Sequence, residues 1–287
     1  MEQLSLLEES RLTDPHADDR THVVRLADAM LRELAAEPPV SLEMMASFQG
    51  IASVRRCALP NAGCLFTDPK TGAVEIRLRE TDHPRRQRFS GFHEVTHTFM
   101  PGYRLQVQWR CDPPFTSRSK PDLETLCDVG AGELLLPARM VRSNLNEAPF
   151  GMDTVLGLAD AYDASLQATA HRVVDLWSED TLLVVAEVAS KPSQRSDPDA
   201  EPRLRVRYSL ASGRWPYIRR HKSIPDDDPL GRALHGEVID ERAVLRGISA
   251  HDVEGLDVSA RLCPFTDSQG DRHDRVLALY RRPSLRP

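Results

Sequence analysis

The spacing of apolar residues predicts short helices and one group of strands in the first half of the chain. Residues 21–37 carry apolar side chains at helical spacing, and SLEMMASFQ predicts a shorter helix with Ser41 as its N-cap. The segments IASVRRC, GCLFT and AVEIRL are typical of strands, and DPKTG between the last two is typical of a turn. Residues 1–20 show no clear period, so we expect them to form a loose arm.

Further helices are predicted after these strands. RRQRFSGFHEVTHTFM follows Pro84 and is stopped by Pro101-Gly102, and two more helices are predicted over about residues 122–136 and 153–177. The pattern then changes. TLLVVAEV predicts a buried strand, RLRVRYSL a half-exposed strand, and DRVLALYRR a final strand after a short helix near 229–236.

These elements predict an α+β protein with two domains. The 287 residues are enough for two domains, and the change of pattern places the boundary near residue 180. We therefore expect a loose arm over 1–20, a first domain over 21–178 and a second α+β domain over 179–287.

Composition and charge exclude several classes of protein. No run of about 18 apolar residues occurs, so we expect no membrane partner, and the acidic N-terminus does not resemble a secretory signal. The five cysteines are scattered and odd in number, which favours reduced thiols and a cytoplasmic location. The net charge of −6 argues against broad coating of nucleic acid but leaves local basic patches open.

The segment SGFHEVTHT carries the strongest chemical signal. Its histidines, His93 and His97, lie about 40° apart around a helix, so both imidazoles can reach one ion. Imidazole nitrogen is a good ligand for Zn²⁺, and Glu94 is placed to act as the general base toward a metal-activated water. The alternative is that two helix histidines share a face without a metal.

A catalytic zinc site also needs a third protein ligand and an open position. The later segment DLETLCDVGAGELLLP offers Glu124 for the metal. Asp128, one turn further along the same face, can accept a hydrogen bond from a ligand histidine and so fix its tautomer. Glu133 lies on the opposite face, where we expect it to cap or pair. The alternative is that Glu124 and Asp128 are solvated helix residues.

Taken together, RQRFSGFHEVTHTF and LETLCDVGAGELLLP resemble the motifs of the ImmA/IrrE family of metallopeptidases. Those motifs are RxRFxxAHExxH and a helix of the form E-x-x-C/A-[ND]-x-x-A-x-E-L-L-x-P. The hairpin before them, and LADAYDASLQATAHRVVDL after them, resemble the hairpin and the helix-turn-helix-like element of the family. The resemblance covers roughly residues 21–178. The chain departs from the pattern at Gly91-Phe92, where an Ala-His pairing is usual, and at Gly130-Ala131-Gly132, in a helix where alanines are commoner.

The resemblance implies a zinc-dependent endopeptidase with a gluzincin-like site. His93, His97 and Glu124 would be the zinc ligands and Glu94 the base. It further implies that the substrate is a specific partner, typically a helix-turn-helix transcriptional repressor. The resemblance implies that such a repressor would be cleaved in response to a stress signal such as DNA damage or phage infection.

Two further features concern the same site. By residue type, Tyr103 and His171 are candidates for the donor that stabilises the oxyanion, and their spacing does not choose between them. Cys111, in VQWRCDPPF between the two ligand-bearing helices, is a possible inhibitory fourth ligand that would displace the catalytic water. RCDPP also resembles the RCGxP segment that silences matrix metalloproteases. The alternative is a small buried residue that packs a loop.

The helix-turn-helix-like segment favours a structural or partner-docking role over DNA reading. A DNA-reading helix needs exposed Arg, Lys, Asn or Gln, and Gln167 and Arg172 are available. However, Asp160, Asp163 and Asp175 would repel phosphates.

The second domain carries a basic segment. Residues 203–222 contain seven Arg or Lys and no acidic residue, and Trp215 and Tyr217 lie among them. Alternation along a strand places Arg203, Arg205 and Arg207 on one face. Aromatic and basic side chains together are typical of surfaces that bind single-stranded nucleic acid. The candidate contacts are Arg203, Arg205, Arg207, Arg214, Trp215, Arg219, Arg220 and Lys222. The alternative is a solvated basic hairpin balanced by the acidic residues 226–228.

Members of the family often carry a GAF-like sensor at this position, and the order of elements here is compatible with one. Single-stranded DNA is therefore a candidate activator of the peptidase. Two alternatives remain open: a non-proteolytic DNA-binding regulator with a structural zinc site, and a ligand-sensing scaffold whose zinc is permanently capped by Cys111.

Overall fold

The structure, a computed structural model, describes residues 4–103, 121–191, 193, 201–266 and 270–282. The chain forms two compact units. One comprises Met1–Met140 with Ala159–Ser165, and the other comprises Val141–Leu158 with Leu166–Pro287. These limits divide the chain differently from the predicted domains 21–178 and 179–287.

The first unit begins with three helices, α1 (Leu6–Thr13), α2 (Asp19–Glu33) and α3 (Leu42–Phe48). The expectation of a loose arm over residues 1–20 is therefore wrong for α1. Ser5 and Glu8 form a reciprocal capping box at its start, and the buried Leu7 donates its N–H to the carbonyl of Phe99 at 3.0 Å. A charged helix of eight residues has little periodicity of its own, so these contacts hold it.

A three-stranded sheet follows, and its strands agree with the prediction. They are β1 (Ser53–Cys57), β2 (Gly63–Thr67) and β3 (Val74–Arg79). β3 lies in the middle, parallel to β1 and antiparallel to β2. Asp68 stabilises the predicted turn, since its side chain accepts the N–H of Lys70 at 2.7 Å.

Two closely packed helices, α4 (Pro84–His97) and α5 (Pro121–Leu135), carry the predicted ligands. A Cβ at Gly130 of α5 would lie 2.4 Å from Thr96 Cγ2, and a Cβ at Gly91 of α4 would lie 2.3 Å from Leu42 Cδ2. Gly91 and Gly130 therefore allow the helices to approach their neighbours closely.

The second unit contains most of three more helices, α6 (Ala138–Glu147), α7 (Met152–Ala161) and α8 (Leu166–Leu176). The single helix predicted over 153–177 is in fact two. The break falls at residues 162–165, where Asp163 has φ +47°. Helix α6 was not predicted.

The rest of the second unit is a five-stranded antiparallel sheet in the order β5-β4-β10-β7-β6. Its strands, the pair β8–β9 and helix α9 are bounded as follows: β4 (Thr181–Ala189), β5 (Arg203–Ala211), α9 (Pro229–Leu234), β6 (Ile239–Leu245), β7 (Val253–Leu262), β8 (Phe265–Thr266), β9 (Arg272–His273) and β10 (Arg275–Arg281). One face of the sheet and α9 enclose an apolar core that includes Leu182, Val184, Leu230 and Val276.

The α+β class is thus confirmed. In the parts of the chain that the structure describes, no helix has both the length and the apolar character needed to cross a membrane.

Candidate metal centre

Buried polar contacts fix the start of α4. The amide of Gln87, which is almost fully buried, donates to the carbonyls of Arg79 and Asp82 and accepts from the Arg56 guanidinium at 2.8 Å. Because these partners lie on or beside β1 and β3, α4 is anchored to the small sheet.

Two arginines tie the same end of α4 to the turn between α7 and α8. Arg85 pairs with Asp160 at 2.6 Å and with Asp163 at 3.3 Å. Arg88 donates to the carbonyls of Asp163 and Val40 at 3.1 and 2.9 Å. Two acidic residues of the helix-turn-helix-like segment thus have a structural role.

The side chains of His93, His97 and Glu124 converge. His93 Nε2 lies 3.1 Å from His97 Nε2 and 3.1 Å from Glu124 Oε2, and His97 Nε2 lies 3.8 Å from the same oxygen. Donors about 2.1 Å from a tetrahedral zinc ion lie about 3.4 Å from each other. The three atoms therefore suit a shared metal ion.

Asp128 lies where it can orient His93. Its Oδ1 accepts the Nδ1–H of His93 at 2.9 Å, which directs Nε2 toward Glu124. Burial alone lowers the pKa of His93. The hydrogen bonds to Asp128 and Glu124 outweigh it and raise the pKa to about 9 in the metal-free protein.

Cys127 offers a second possible grouping. The ligand atoms of His93, His97 and Cys127 lie within 4.8 Å of one another. However, Cys127 Sγ lies 3.4 Å from Nδ1 of His97, whereas Nε2 of that ring faces His93 and Glu124. One imidazole binds one ion through one nitrogen, so an ion on Nε2 of His97 would meet Glu124, whereas the sulfur lies beside the opposite nitrogen of the ring.

Glu94 is buried beside the small sheet. Its side chain is 5% exposed, and its Cγ would lie 3.5 Å from a Cβ at Gly63, the first residue of β2. Its catalytic role remains a prediction. Glu133 accepts the N–H of Ala138 at 2.8 Å and so caps the start of α6, as its position on the opposite face of α5 led us to expect.

The remaining candidate residues for the active site are Tyr103, Cys111 and His171. Tyr103 is half-buried and is the last described residue before the gap at 104–120, in which Cys111 lies outside the described residues. His171 belongs to the second unit, where its Nε2 lies 3.0 Å from the Tyr208 hydroxyl and burial lowers its pKa.

The basic segment is only partly available for binding. The exposure pattern of β5 places Arg203, Arg205 and Arg207 on one face. Arg205 donates to the carbonyls of residues 189 and 221, and Arg207 pairs with Glu187. The other basic candidates, Arg214, Arg219, Arg220 and Lys222, are exposed. Of the two aromatic residues, Trp215 packs against the core and Tyr217 is 71% exposed.

A pair of histidines one turn apart on a helix, facing a carboxylate on a second helix, is typical of metallopeptidases. Residues 54–174 match the family model described as the IrrE N-terminal-like domain. This region belongs to the ImmA/IrrE family of metallopeptidases, which confirms the resemblance seen in the motifs.

Comparisons with individual proteins agree with this assignment. The chain is 26% identical over 218 residues to the radiation response metalloprotease IrrE of Deinococcus deserti, and the match covers 72% of this chain and 75% of that protein. Among solved structures, a Mycobacterium tuberculosis transcriptional regulator has a similar fold, with a TM-score of 0.55. That likeness covers 97% of this chain and 82% of the other, at 12% identity, so it concerns the fold alone.

Proposed function

We propose that this protein is a zinc-dependent endopeptidase that cleaves a helix-turn-helix transcriptional repressor in response to a stress signal. The observation that carries the proposal is the convergence of His93 Nε2, His97 Nε2 and Glu124 Oε2. Similarity to a radiation response metalloprotease supports a stress-related role, with DNA damage or phage infection as the signal.

The donor set suits zinc, because two imidazoles and one carboxylate are common ligands of catalytic zinc sites. When bound, a zinc ion supplies Lewis-acid chemistry that polarises the scissile carbonyl and makes water more acidic. The side chains of His93 and Glu124 are 17% and 36% exposed, so a substrate can approach the donors from solvent.

The chain's own residues supply the remaining chemistry. Glu94, adjacent to His93 on α4, takes a proton from the attacking water and passes it to the nitrogen of the leaving amine. Asp128 holds His93 in the tautomer whose Nε2 lone pair can bind the metal. Tyr103 and His171 remain the proposed donors to the oxyanion. If Tyr103 is the donor, Tyr103→Phe should lower kcat more than it changes KM. If His171 is the donor, His171→Gln should have this effect.

The family resemblance leads us to expect a helix-turn-helix repressor encoded beside the gene, and the test uses that repressor with the whole 287-residue chain. We expect the zinc-loaded wild type to cleave the repressor, and Glu94→Gln to bind zinc equally well with cleavage reduced about 10²–10⁴-fold. Glu124→Gln should lose both zinc and cleavage. Asp122→Asn, on the same helix but exposed, should retain both. A wild type that binds zinc but leaves the repressor intact would favour the non-proteolytic regulator with a structural zinc site.

We further propose that residues 179–287 form a GAF-like sensor and that single-stranded DNA activates the peptidase through the basic segment. The common face of Arg203, Arg205 and Arg207 and the exposed ring of Tyr217 support this proposal. Replacing Arg203, Arg205 and Arg207 by glutamate should abolish DNA-stimulated cleavage and leave basal cleavage unchanged. The control Arg246→Glu should retain DNA stimulation. Unaltered stimulation would exclude the basic segment as the surface that binds the activating DNA.

Cys111 keeps its proposed role as an inhibitory ligand. Cys111→Ala should raise basal cleavage in the absence of any activator. Unchanged basal cleavage would favour a packing role.

A further inference from the structure

We propose that the thiol of Cys127 is a positioning residue that holds the His97 ring with Nε2 directed at the metal. The inference rests on the proposed metal site of His93, His97 and Glu124. It starts from one contact, because Cys127 Sγ lies 3.4 Å from Nδ1 of His97. Both side chains are buried, with Cys127 0% and His97 2% exposed.

The tautomer of His97 decides whether it can bind a metal. A neutral imidazole carries one proton, and placing it on Nδ1 leaves the lone pair of Nε2 free. The sulfur can accept the Nδ1–H, because a thiol is a weak acceptor as well as a weak donor. Meanwhile His97 Nε2 faces His93 Nε2 at 3.1 Å. With the sulfur as the acceptor, this contact fits the tautomer and the ring orientation that the site needs.

The geometry of α5 explains how one helix can serve both histidines. Glu124, Cys127 and Asp128 have the spacing i, i+3 and i+4, so they lie on the same face. Glu124 supplies the third donor, Asp128 orients His93, and Cys127 orients His97. The close approach of the helices at Gly130 brings this face within hydrogen-bonding distance of α4.

The two orienting groups suit their surroundings. Asp128 has 60% of its side chain exposed, so its charge remains solvated. A carboxylate at the fully buried position of Cys127 would lose its solvation, whereas a neutral thiol accepts a hydrogen bond without that penalty. Alanine at this position would take away the sulfur that faces Nδ1 of His97.

The experiment measures zinc affinity of the full-length protein by competition with a chelator. We expect Cys127→Ala to weaken zinc binding about 10–100-fold, the usual effect of removing a group that orients a ligand histidine. Cys127→Ser should lose less, since its hydroxyl can replace the acceptor. Cys57→Ala, a half-buried thiol on β1, should bind zinc like the wild type.

Two spectroscopic measurements separate positioning from other roles. ¹⁵N NMR of His97 in the metal-free wild type should show the proton on Nδ1. In Cys127→Ala we expect a mixture of the two tautomers. If that variant does not fold, Cys127→Ser should show a shifted tautomer balance. Cobalt-substituted Cys111→Ala, in which residue 111 cannot bind the metal, should show no thiolate-to-cobalt charge-transfer band.

The inference is overturned if Cys127→Ala binds zinc as tightly as the wild type, if His97 is protonated on Nε2, or if a thiolate band appears in cobalt-substituted Cys111→Ala. The proposed function fails separately, if the wild type itself binds no zinc.

Discussion

At the scale of single residues, His93 and His97 occupy different environments although they lie one turn apart. His93 is partly exposed and contacts two carboxylates, whereas His97 is buried against the Cys127 sulfur. The carboxylates keep His93 protonated near neutral pH in the metal-free protein, because they raise its pKa to about 9. Metal binding must therefore release a proton from this residue.

The raised pKa of His93 predicts how the stability of the metal-free protein depends on pH. A pKa raised by folding contributes stability that is complete below the unfolded value of about 6.5 and is lost as the pH rises through about 9. Urea midpoints measured with a chelator present should fall across this window. In His93→Gln that part of the fall should be absent. An identical profile in the variant would contradict the prediction.

Cys263 in the second unit should react slowly with alkylating reagents. Burial raises the pKa of its thiol from 9.0 to about 11, so near pH 8 its thiolate fraction is about 100-fold smaller than that of an ordinary thiol. Mass spectrometry after iodoacetamide treatment should show alkylation rising with pH up to about 11. Protein unfolded in urea is the reference. A profile that levels off near pH 9 in the folded protein would exclude the effect of burial.

At the scale of elements, the contact between α4 and α5 decides the site. α4 presents both histidines on one face because they are four residues apart, and α5 presents Glu124, Cys127 and Asp128 in the same way. The distance between the helices depends on Gly130, where any larger residue meets the buried, hydrogen-bonded side chain of Thr96.

Two glycines of α5 form a matched pair for testing this contact. Gly130→Ala should destabilise the protein by about 1–3 kcal/mol, because overpacking outweighs the gain in helix propensity. Gly132→Ala has nothing within 4 Å of its new Cβ and should stabilise it by about 0.5–1 kcal/mol. Urea unfolding measures the free energy of unfolding of both variants. Equal changes in the two variants would contradict the close approach of the helices at Gly130.

At the scale of the whole molecule, the C-terminal sheet is built together with helices that precede it in the chain. Within the second unit, Met152 donates its N–H to Ser259 Oγ at 2.8 Å, Arg275 donates to Gln167 at 3.2 Å, and Phe150 packs against Trp177. The sheet face opposite the apolar core is also buried, as Leu183 and Leu279 show.

The fragment 179–287 should therefore not fold cooperatively by itself. Without α6–α8 it exposes the second buried face of the sheet, which costs roughly 25 cal/mol for each Å² of apolar surface. Circular dichroism and thermal melts should show a broad or absent transition for 179–287 and a sharper one for 141–287. A sharp transition in the shorter fragment would support the boundary at 178/179.

Several features followed from the sequence alone because they are local. The spacing of His93 and His97 places both rings on one helix face, and the one-turn spacing of Glu124 and Asp128 does the same on α5. Apolar runs bounded by turn residues located β1–β5 and β10. These features depend on the helix period and on neighbouring residues, which a single chain segment contains.

Tertiary structure decided the rest, since those features depend on residues far apart in the chain. Helix α1 depends on Phe99, and the interiors of β6 and β7 are too polar in places to be recognised without their partner strands. Gly130 is required only because α4 lies against it, and Cys127 gains its role only when His97 turns Nδ1 toward it. The spacing of residues indicated which side chains could bind a metal. Packing between helices determined which of them meet.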